Sequence, residues 1–238
     1  MDEKIASFRE IIEQSDNIVF FGGAGVSTES GIPDFRGDGG LYYQKYDYPP
    51  ETILSFTFFD TQPDEFYRFY RDKLMIAGAE PNMAHIRLAE LEREGKLRAV
   101  VTQNIDGLHQ AAGSVNVLEV HGTTMRLYCT ECFKEYTPAV VEESEGVTRC
   151  ICGGIIRPDV VLYQERLDDS TMSKAARYIS ECDVLIVGGT SLNVYPAAGL
   201  VNYYQGDKLV LINLQPTPYD GQADLLISEK IGEVFSKV

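Results

Sequence analysis

Ile18-Val19-Phe20-Phe21-Gly22-Gly23-Ala24-Gly25-Val26-Ser27 is the stretch that decides the fold class. A short, unbroken apolar run halts in a glycine-rich turn. Such a run suits a strand covered on both faces, the situation in a parallel sheet. The pattern then recurs. Ala99-Val100-Val101 runs into Thr102-Gln103-Asn104, and Val117-Leu118-Glu119-Val120 into His121-Gly122. Val184-Leu185-Ile186-Val187 runs into Gly188-Gly189-Thr190-Ser191, and Leu209-Val210-Leu211-Ile212 into Asn213, with a weaker Leu225-Leu226-Ile227 near the end. Ile5, Phe8, Ile11 and Ile12 make a helical stripe before the first strand; Ala84, Leu88 and Leu91 make another before the second. This alternation predicts an open, doubly wound α/β sheet. Such sheets bind ligands outside the carboxyl ends of their strands, so the polar residues ending each run predict one crevice.

Two stretches interrupt the alternation. Residues 31–50, rich in Gly, Pro, Tyr and Asp, read as a long loop, followed by a helical segment over about 51–78. Residues 123–157 hold Cys129, Cys132, Cys150 and Cys152 and read as an inserted module, leaving 1–122 and 158–238 as the main domain. The cysteine spacing is Cys-x2-Cys, 17 residues, then Cys-x-Cys. Four thiolates complete a tetrahedral shell around zinc with no position left for water, so the expected role is structural. The second pair is tighter than the usual knuckle. Cys182, just before a core strand, reads as a buried small hydrophobe.

Composition excludes some classes. With 36 acidic and 21 basic residues the formal charge is −15, which argues against a phosphate-gripping nucleic-acid binder, as does the lack of a basic cluster near the cysteines. Acidity of this size is compatible with basic, lysine-bearing partners. At 44% apolar residues, 238 residues can bury a sizeable core. Met1-Asp2-Glu3-Lys4 does not begin a signal peptide, and no apolar run approaches a membrane span, so a cytoplasmic location without membrane contact is expected. The sequence leaves the oligomeric state open.

The turn after the first strand is the candidate nucleotide loop. Glycines there let the backbone approach a pyrophosphate, and a following helix N-terminus would favour the anion. It departs from G-x-G-x-x-G, and a tight packing turn would look the same. The continuation Thr28-Glu29-Ser30-Gly31-Ile32-Pro33-Asp34-Phe35-Arg36 is more informative. The run from Gly22 to Arg36 resembles the signature of the sirtuins, the NAD-dependent protein lysine deacylases. Similar motifs follow in order: Thr102-Gln103-Asn104-Ile105-Asp106-Gly107-Leu108-His109, Glu119-Val120-His121-Gly122, the two cysteine pairs, Arg157-Pro158-Asp159-Val160-Val161, Gly189-Thr190-Ser191-Leu192, Val194-Tyr195-Pro196-Ala197-Ala198 and Ile212-Asn213. The resemblance covers essentially the whole chain.

That resemblance implies a Rossmann-like NAD-binding domain and a small zinc module, with acyl-lysine entering between them. In the family reaction the amide oxygen attacks the anomeric carbon of the nicotinamide ribose, nicotinamide leaves, and the acyl group passes to the ribose. Catalysis of this kind rests on orientation and on a base for a ribose hydroxyl. His121 is the candidate base, with Asn104 as its catalytic companion. The resemblance assigns Gly23, Ala24, Gly25, Ser27, Asp34, Phe35 and Arg36 to the cofactor, with Gln103 on the ribose and Asn104 and Asp106 in the nicotinamide pocket. Ile105 and Ile32 are expected to wall that pocket. Gly189, Ser191 and Asn213 match adenosine-side positions, and Thr190 and Ile231 join the cofactor set. Val160-Val161-Leu162-Tyr163 alternates like a strand edge and is expected to pair with the substrate backbone. Gln164 stands where the family usually has a permissive glycine. His85 and His109 read as structural.

Acidic-acyl sirtuins usually carry Tyr-x-x-Arg in the helical segment. Here Tyr67 fits, Tyr70 takes the arginine position, and Arg71 follows one residue later. Asp34 also matches the deacetylase form, so acetyl or other uncharged acyl-lysine proteins are the expected substrates. Succinyl removal, NAD-dependent ADP-ribosyl transfer to protein, and a non-catalytic NAD sensor stay as alternatives.

Overall fold

The computed structural model describes residues 2–34, 46–75 and 78–238. Helix α1 (Asp2–Gln14) leads into strand β1 (Ile18–Gly22). Three short helices follow, α2 (Pro50–Ile53), α3 (Phe56–Thr61) and α4 (Pro63–Phe69), then a wide helical turn at Tyr70–Leu74. Helix α5 (Met83–Arg93), β2 (Leu97–Thr102), α6 (Leu108–Ala111) and β3 (Val117–Glu119) return the chain to the sheet. Next come β4 (Gly122–Cys129), β5 (Glu135–Tyr136), α7 (Ala139–Glu142) and β6 (Ile156–Val160). The chain closes with α8 (Asp169–Glu181), β7 (Val184–Gly188), β8 (Lys208–Ile212), β9 (Leu225–Ile227) and α9 (Ile231–Phe235).

Six strands form a parallel sheet in the order β3-β2-β1-β7-β8-β9. The apolar runs are continuous because both faces are covered. Ile18 and Phe20, Val184 and Ile186, and Val210 and Ile212 point to one face, where α1, α5 and α9 bury Phe8, Leu88 and Phe235. Val19 and Phe21, Leu185 and Val187, and Leu209 and Leu211 point to the other, covered by α8 and the turn at Ala197–Tyr203. The strand order reverses between β1 and β7, which makes that boundary the switch point of the sheet.

A second, antiparallel sheet, β5-β4-β6, runs from Gly122 to Val160. It shares a third core with the helical segment: Phe58, Phe59, Phe66, Tyr67, Phe69 and Tyr70 pack with Leu127, Cys129, Val141, Cys150 and Ile156. The two insertions, more than forty positions apart in sequence, therefore build one hydrophobic unit.

Candidate active site

Register brings the strand ends to one rim. Gly22 lies opposite both Thr102 and Gly188, Thr102 opposite Glu119, and Gly188 opposite Ile212. The next residues are laced together: Gln103 N–H donates to Gly22 O at 2.9 Å, Val120 N–H to Thr102 O at 3.0 Å and Gly189 N–H to Ile212 O at 3.0 Å. A cleft of about 1200 Å³ opens above them. Ala24, Gly25, Ser27, Ile32 and Asp34 line it, as do Gln103 to Asp106, His121, Gly189 to Ser191, Asn213 and Ile231. Val160 to Tyr163 form the facing wall. Phe35 and Arg36 lie outside the described residues.

Gly23 is absent from that lining, and packing gives the glycine turn a further physical reason. A Cβ on Gly25 would stand 2.9 Å from the Cα and carbonyl oxygen of Gly189, and one on Gly23 2.8 Å from the Thr190 Cβ. The loops after β1 and β7 cross at backbone contact, joined by Gly25 N–H donating to Gly189 O at 2.8 Å. Among the described residues no long helix follows the turn directly either. The chain makes two single turns, Ala24–Val26 and Thr28–Ser30.

Ser27 sits between those turns at the centre of a polar chain. Its hydroxyl donates to Asp106 Oδ2 at 2.7 Å and accepts from Asn104 Nδ2 at 3.0 Å. The other Asp106 oxygen accepts from Leu108 N–H at 2.9 Å, so one carboxylate caps α6 and faces the cleft together. Thr124 donates to Ile105 O through both N–H and Oγ1, at 2.9 and 2.8 Å, fixing the loop between Asn104 and Asp106.

Asn82 and His85 belong to this network, although the sequence reading gave Asn82 no role and left His85 as structural. Asn82 caps α5 by accepting from Ala84 N–H, and its own N–H donates to His85 Nδ1 at 3.2 Å. That acceptor role leaves the proton on Nε2, which points to Ser27 Oγ at 3.5 Å. Asn82 Nδ2 also donates to Val26 O at 2.8 Å, tying α5 to the glycine turn. The legible signal was the Asn-x-x-His spacing at a helix start, a variant of the capping box. Behind His85, His109 is buried with neither ring nitrogen partnered among the described residues, its ring 4.7 Å from that of His85.

His121 follows the short β3. Its Nδ1 lies 3.0 Å from Gln103 O. A carbonyl only accepts, so Nδ1 carries the proton and Nε2 holds the lone pair. Burial holds the imidazole below the ordinary histidine pKa, against the raising effect of the Gln103 bond. Gln103 is itself fixed, its Nε2 donating to Thr190 Oγ1 at 2.9 Å.

The expected strand edge at Val160–Tyr163 is only partly a strand. β6 ends at Val160, and the next amides are already used. Val161 N–H donates to His121 O at 2.9 Å, Leu162 N–H to Glu165 Oε2 at 2.7 Å and Tyr163 N–H to Leu54 O at 2.9 Å. Among the described residues no donor reaches the Val161 carbonyl. Where the helical segment borders the cleft, Arg71 lies in its lining and bonds to the cysteine-bearing module. Its guanidinium lies 3.3 Å from Ser144 O, Ser144 Oγ and Thr148 Oγ1, with its carbon 5.2 Å from the centre of the Tyr67 ring.

Away from the cleft, the thiols of Cys129, Cys132, Cys150 and Cys152 lie within 4.8 Å of one another. The close pairs are Cys129–Cys152 at 3.4 Å and Cys132–Cys150 at 3.6 Å, with no disulfide. A tetrahedral zinc with ~2.3 Å bonds to sulfur needs edges of roughly 3.8 Å, so the four donors fit. The tight second pair is made possible by a turn in which Gly153 takes φ 95° and Cys150 N–H donates to Gly154 O at 2.8 Å.

The sequence pattern of the Sir2 family matches residues 23–196, which contain the glycine turn, Asn104, Asp106, His121 and all four cysteines. The chain belongs to the Sir2 family. It is 56% identical to an NAD-dependent protein deacetylase of Clostridium perfringens (strain 13 / Type A) over 242 residues, covering 100% of this chain and 99% of that one. Against the NAD-dependent protein deacetylase of Clostridium acetobutylicum the identity is 55% over 240 residues, covering 99% and 98%. A solved Sir2 structure with a p53 peptide and NAD+ superposes with a TM-score of 0.88 at 40% identity, covering 98% of this chain and 96% of that one. A Sir2 bound to acetylated peptide gives 0.87 at 39% identity with the same coverage. The six-stranded sheet, the cleft at its switch point and the four-thiol cluster are thus placed within a Sir2 fold.

Proposed function

We propose that this chain is an NAD-dependent protein lysine deacetylase, releasing nicotinamide, O-acetyl-ADP-ribose and the free lysine. One observation carries the reading: in a chain that matches the deacetylases over nearly their whole length, a neutral histidine with a fixed tautomer lines the cleft where Asn104, Asp106 and the Val160–Tyr163 wall converge. NAD, when bound, supplies the ribose that receives the acyl group and the nicotinamide that leaves. Gln103, Asn104, Asp106, Ser191 and Asn213 would hold it, and the polar donors and acceptors at this rim suit a ribose and a carboxamide. Ile32 and Ile105 give that end of the cleft apolar walls that exclude water. His121 accepts a hydroxyl proton at Nε2, and Gln103 O holds the ring in place while it does so. Substrate enters along Val160–Tyr163, where the Val161 carbonyl is free to accept the N–H of the acylated lysine amide.

Zinc would be held by the four cysteines in a closed shell. It would stiffen the small domain and take no part in the chemistry. The acyl group expected is acetyl or another uncharged chain, because Arg71 is committed to Ser144 and Thr148. A cytoplasmic location goes with this reading, since reduced thiols hold the metal. Mass spectrometry of a reaction with NAD and acetyl-peptide tests it. O-acetyl-ADP-ribose from the native chain and none from His121→Ala is the expected result. A covalently ADP-ribosylated protein, or succinyl removed faster than acetyl, would overturn it.

A further inference from the structure

The backbone just beyond the substrate wall contains an unusual residue. Gln164 has φ 78°, a left-handed conformation that L side chains avoid and glycine adopts freely. It is the third residue of a tight turn closed by Glu165 N–H donating to Leu162 O at 3.0 Å, a place where glycine or asparagine is ordinarily found. Something must offset the strain. The Gln164 side-chain oxygen accepts twice from Thr57, from its N–H at 3.0 Å and from its hydroxyl at 2.8 Å. Thr57 lies in the first turn of α3, where backbone N–H groups have no helical partner. The strained residue thus caps a helix in the neighbouring element.

The surrounding bonds converge on the same turn. Tyr163 N–H donates to Leu54 O at 2.9 Å and Phe56 N–H to Tyr163 O at 3.0 Å, so the turn is sewn to the helical segment on both sides of α3's start. Glu165 accepts from Arg157 through both carboxylate oxygens, at 2.7 and 2.9 Å, and from Leu162 N–H at 2.7 Å. Arg157 Nη2 also donates to Val160 O at 2.8 Å. Of these ties, the Gln164–Thr57 pair is the one made by an exposed side chain that a glycine would lack. Gln164 itself lines the cleft, three residues from the free Val161 carbonyl.

We propose that Gln164 is a positioning residue for the peptide substrate: its left-handed backbone and its clamp on Thr57 hold the Val161–Glu165 turn in the shape that receives the acyl-peptide before the peptide arrives. Order of this kind lowers the entropy lost on binding and leaves the reacting atoms untouched. It rests on the deacetylase reading, and the two can fail separately.

The test compares the native chain with Gln164→Gly, which relieves the strain and removes the clamp, and with Thr57→Val, which removes the hydroxyl donor alone. Dissociation of a fluorescent acetyl-lysine peptide is followed by anisotropy, which needs no turnover. Amide exchange of residues 161–165 is followed alongside. Expected for Gln164→Gly are faster exchange in that turn and a peptide Kd weaker by about threefold to tenfold, the scale of a lost hydrogen-bonded clamp. The NAD affinity stays put and turnover at saturating peptide changes less than twofold. Thr57→Val gives the same pattern, smaller. An unchanged peptide Kd in Gln164→Gly overturns the proposal, with or without faster exchange, and so does an equal loss in kcat at unchanged KM. If the native chain binds no acetyl-peptide, the deacetylase reading itself falls and takes the proposal with it.

Discussion

Burial acts on three histidines of this chain with different consequences. His121 is lowered in pKa by desolvation yet keeps a carbonyl partner on Nδ1, so it stays a neutral base to lower pH than an ordinary histidine. The acid limb of kcat/KM for acetyl-peptide should therefore lie below the ordinary histidine value of ~6.5, and a limb above it would contradict the assignment. His85 and His109 are pushed further, to about 4 and about 3, chiefly by desolvation. Their sign follows from linkage. Below about pH 6.5 the unfolded chain takes up protons that the fold refuses, so stability falls as pH drops toward about 4 and is unaffected above neutrality. Among the described residues His109 has no partner for either nitrogen, so His109→Phe removes an unsatisfied group from a buried site. Denaturant melts at several pH values should show a shallower acid slope for that variant, by up to about 1.4 kcal/mol per pH unit, with stability at pH 7 equal or higher. An unchanged slope would mean that His109 titrates freely.

Among the elements, the zinc module and the helical segment share one core, so a metal in the module stabilises helices that never touch it. Cys129 and Cys150 pack among Phe58, Phe66 and Tyr67. Cys129→Ser, or prolonged chelation, should lower Tm and also speed amide exchange across α3 and α4, while the parallel sheet keeps its protection. Metal analysis of the native chain should find about one zinc per molecule. Full stability of the metal-free protein would remove zinc from its structural role. Arg71 joins the same two insertions through Ser144 and Thr148. In sequence Arg71 lies four residues after Tyr67, a spacing that lets two side chains share one helix face. Spacing says nothing about what lies opposite that face, and here the module lies there.

For the whole molecule, the charge of −15 is a property that no single contact explains. Acetylation neutralises the substrate lysine, so acidity is not needed for the side chain itself, only for basic residues around it. If the field aids capture, the Kd for a lysine-rich acetyl-peptide should weaken several-fold between about 50 and 500 mM salt, while a neutral acetyl-peptide is unaffected. Equal behaviour of the two peptides would leave the charge to solubility.

The six strands, their burial on both faces and the polar residues at their ends were legible in the sequence. Apolar runs such as Ile18–Phe21 and Val184–Val187 suit strands covered on both faces, and the helical stretches between them supply the crossovers that a parallel sheet needs. The four cysteines were equally legible, since thiol donors at that spacing suit little besides a metal. What the chain alone did not decide lies where two distant segments meet. Gly23 and Gly25 face a crossing loop at Gly189–Thr190, and Asn82 and His85 reach Ser27 from a different helix. The backbone donors expected at Val161 and Tyr163 are consumed by His121 and Leu54, and Gln164 keeps a glycine's conformation by capping α3. Sequence patterns record period and burial along one element. Hydrogen-bond partners between elements depend on register and packing angle, which only the tertiary structure sets.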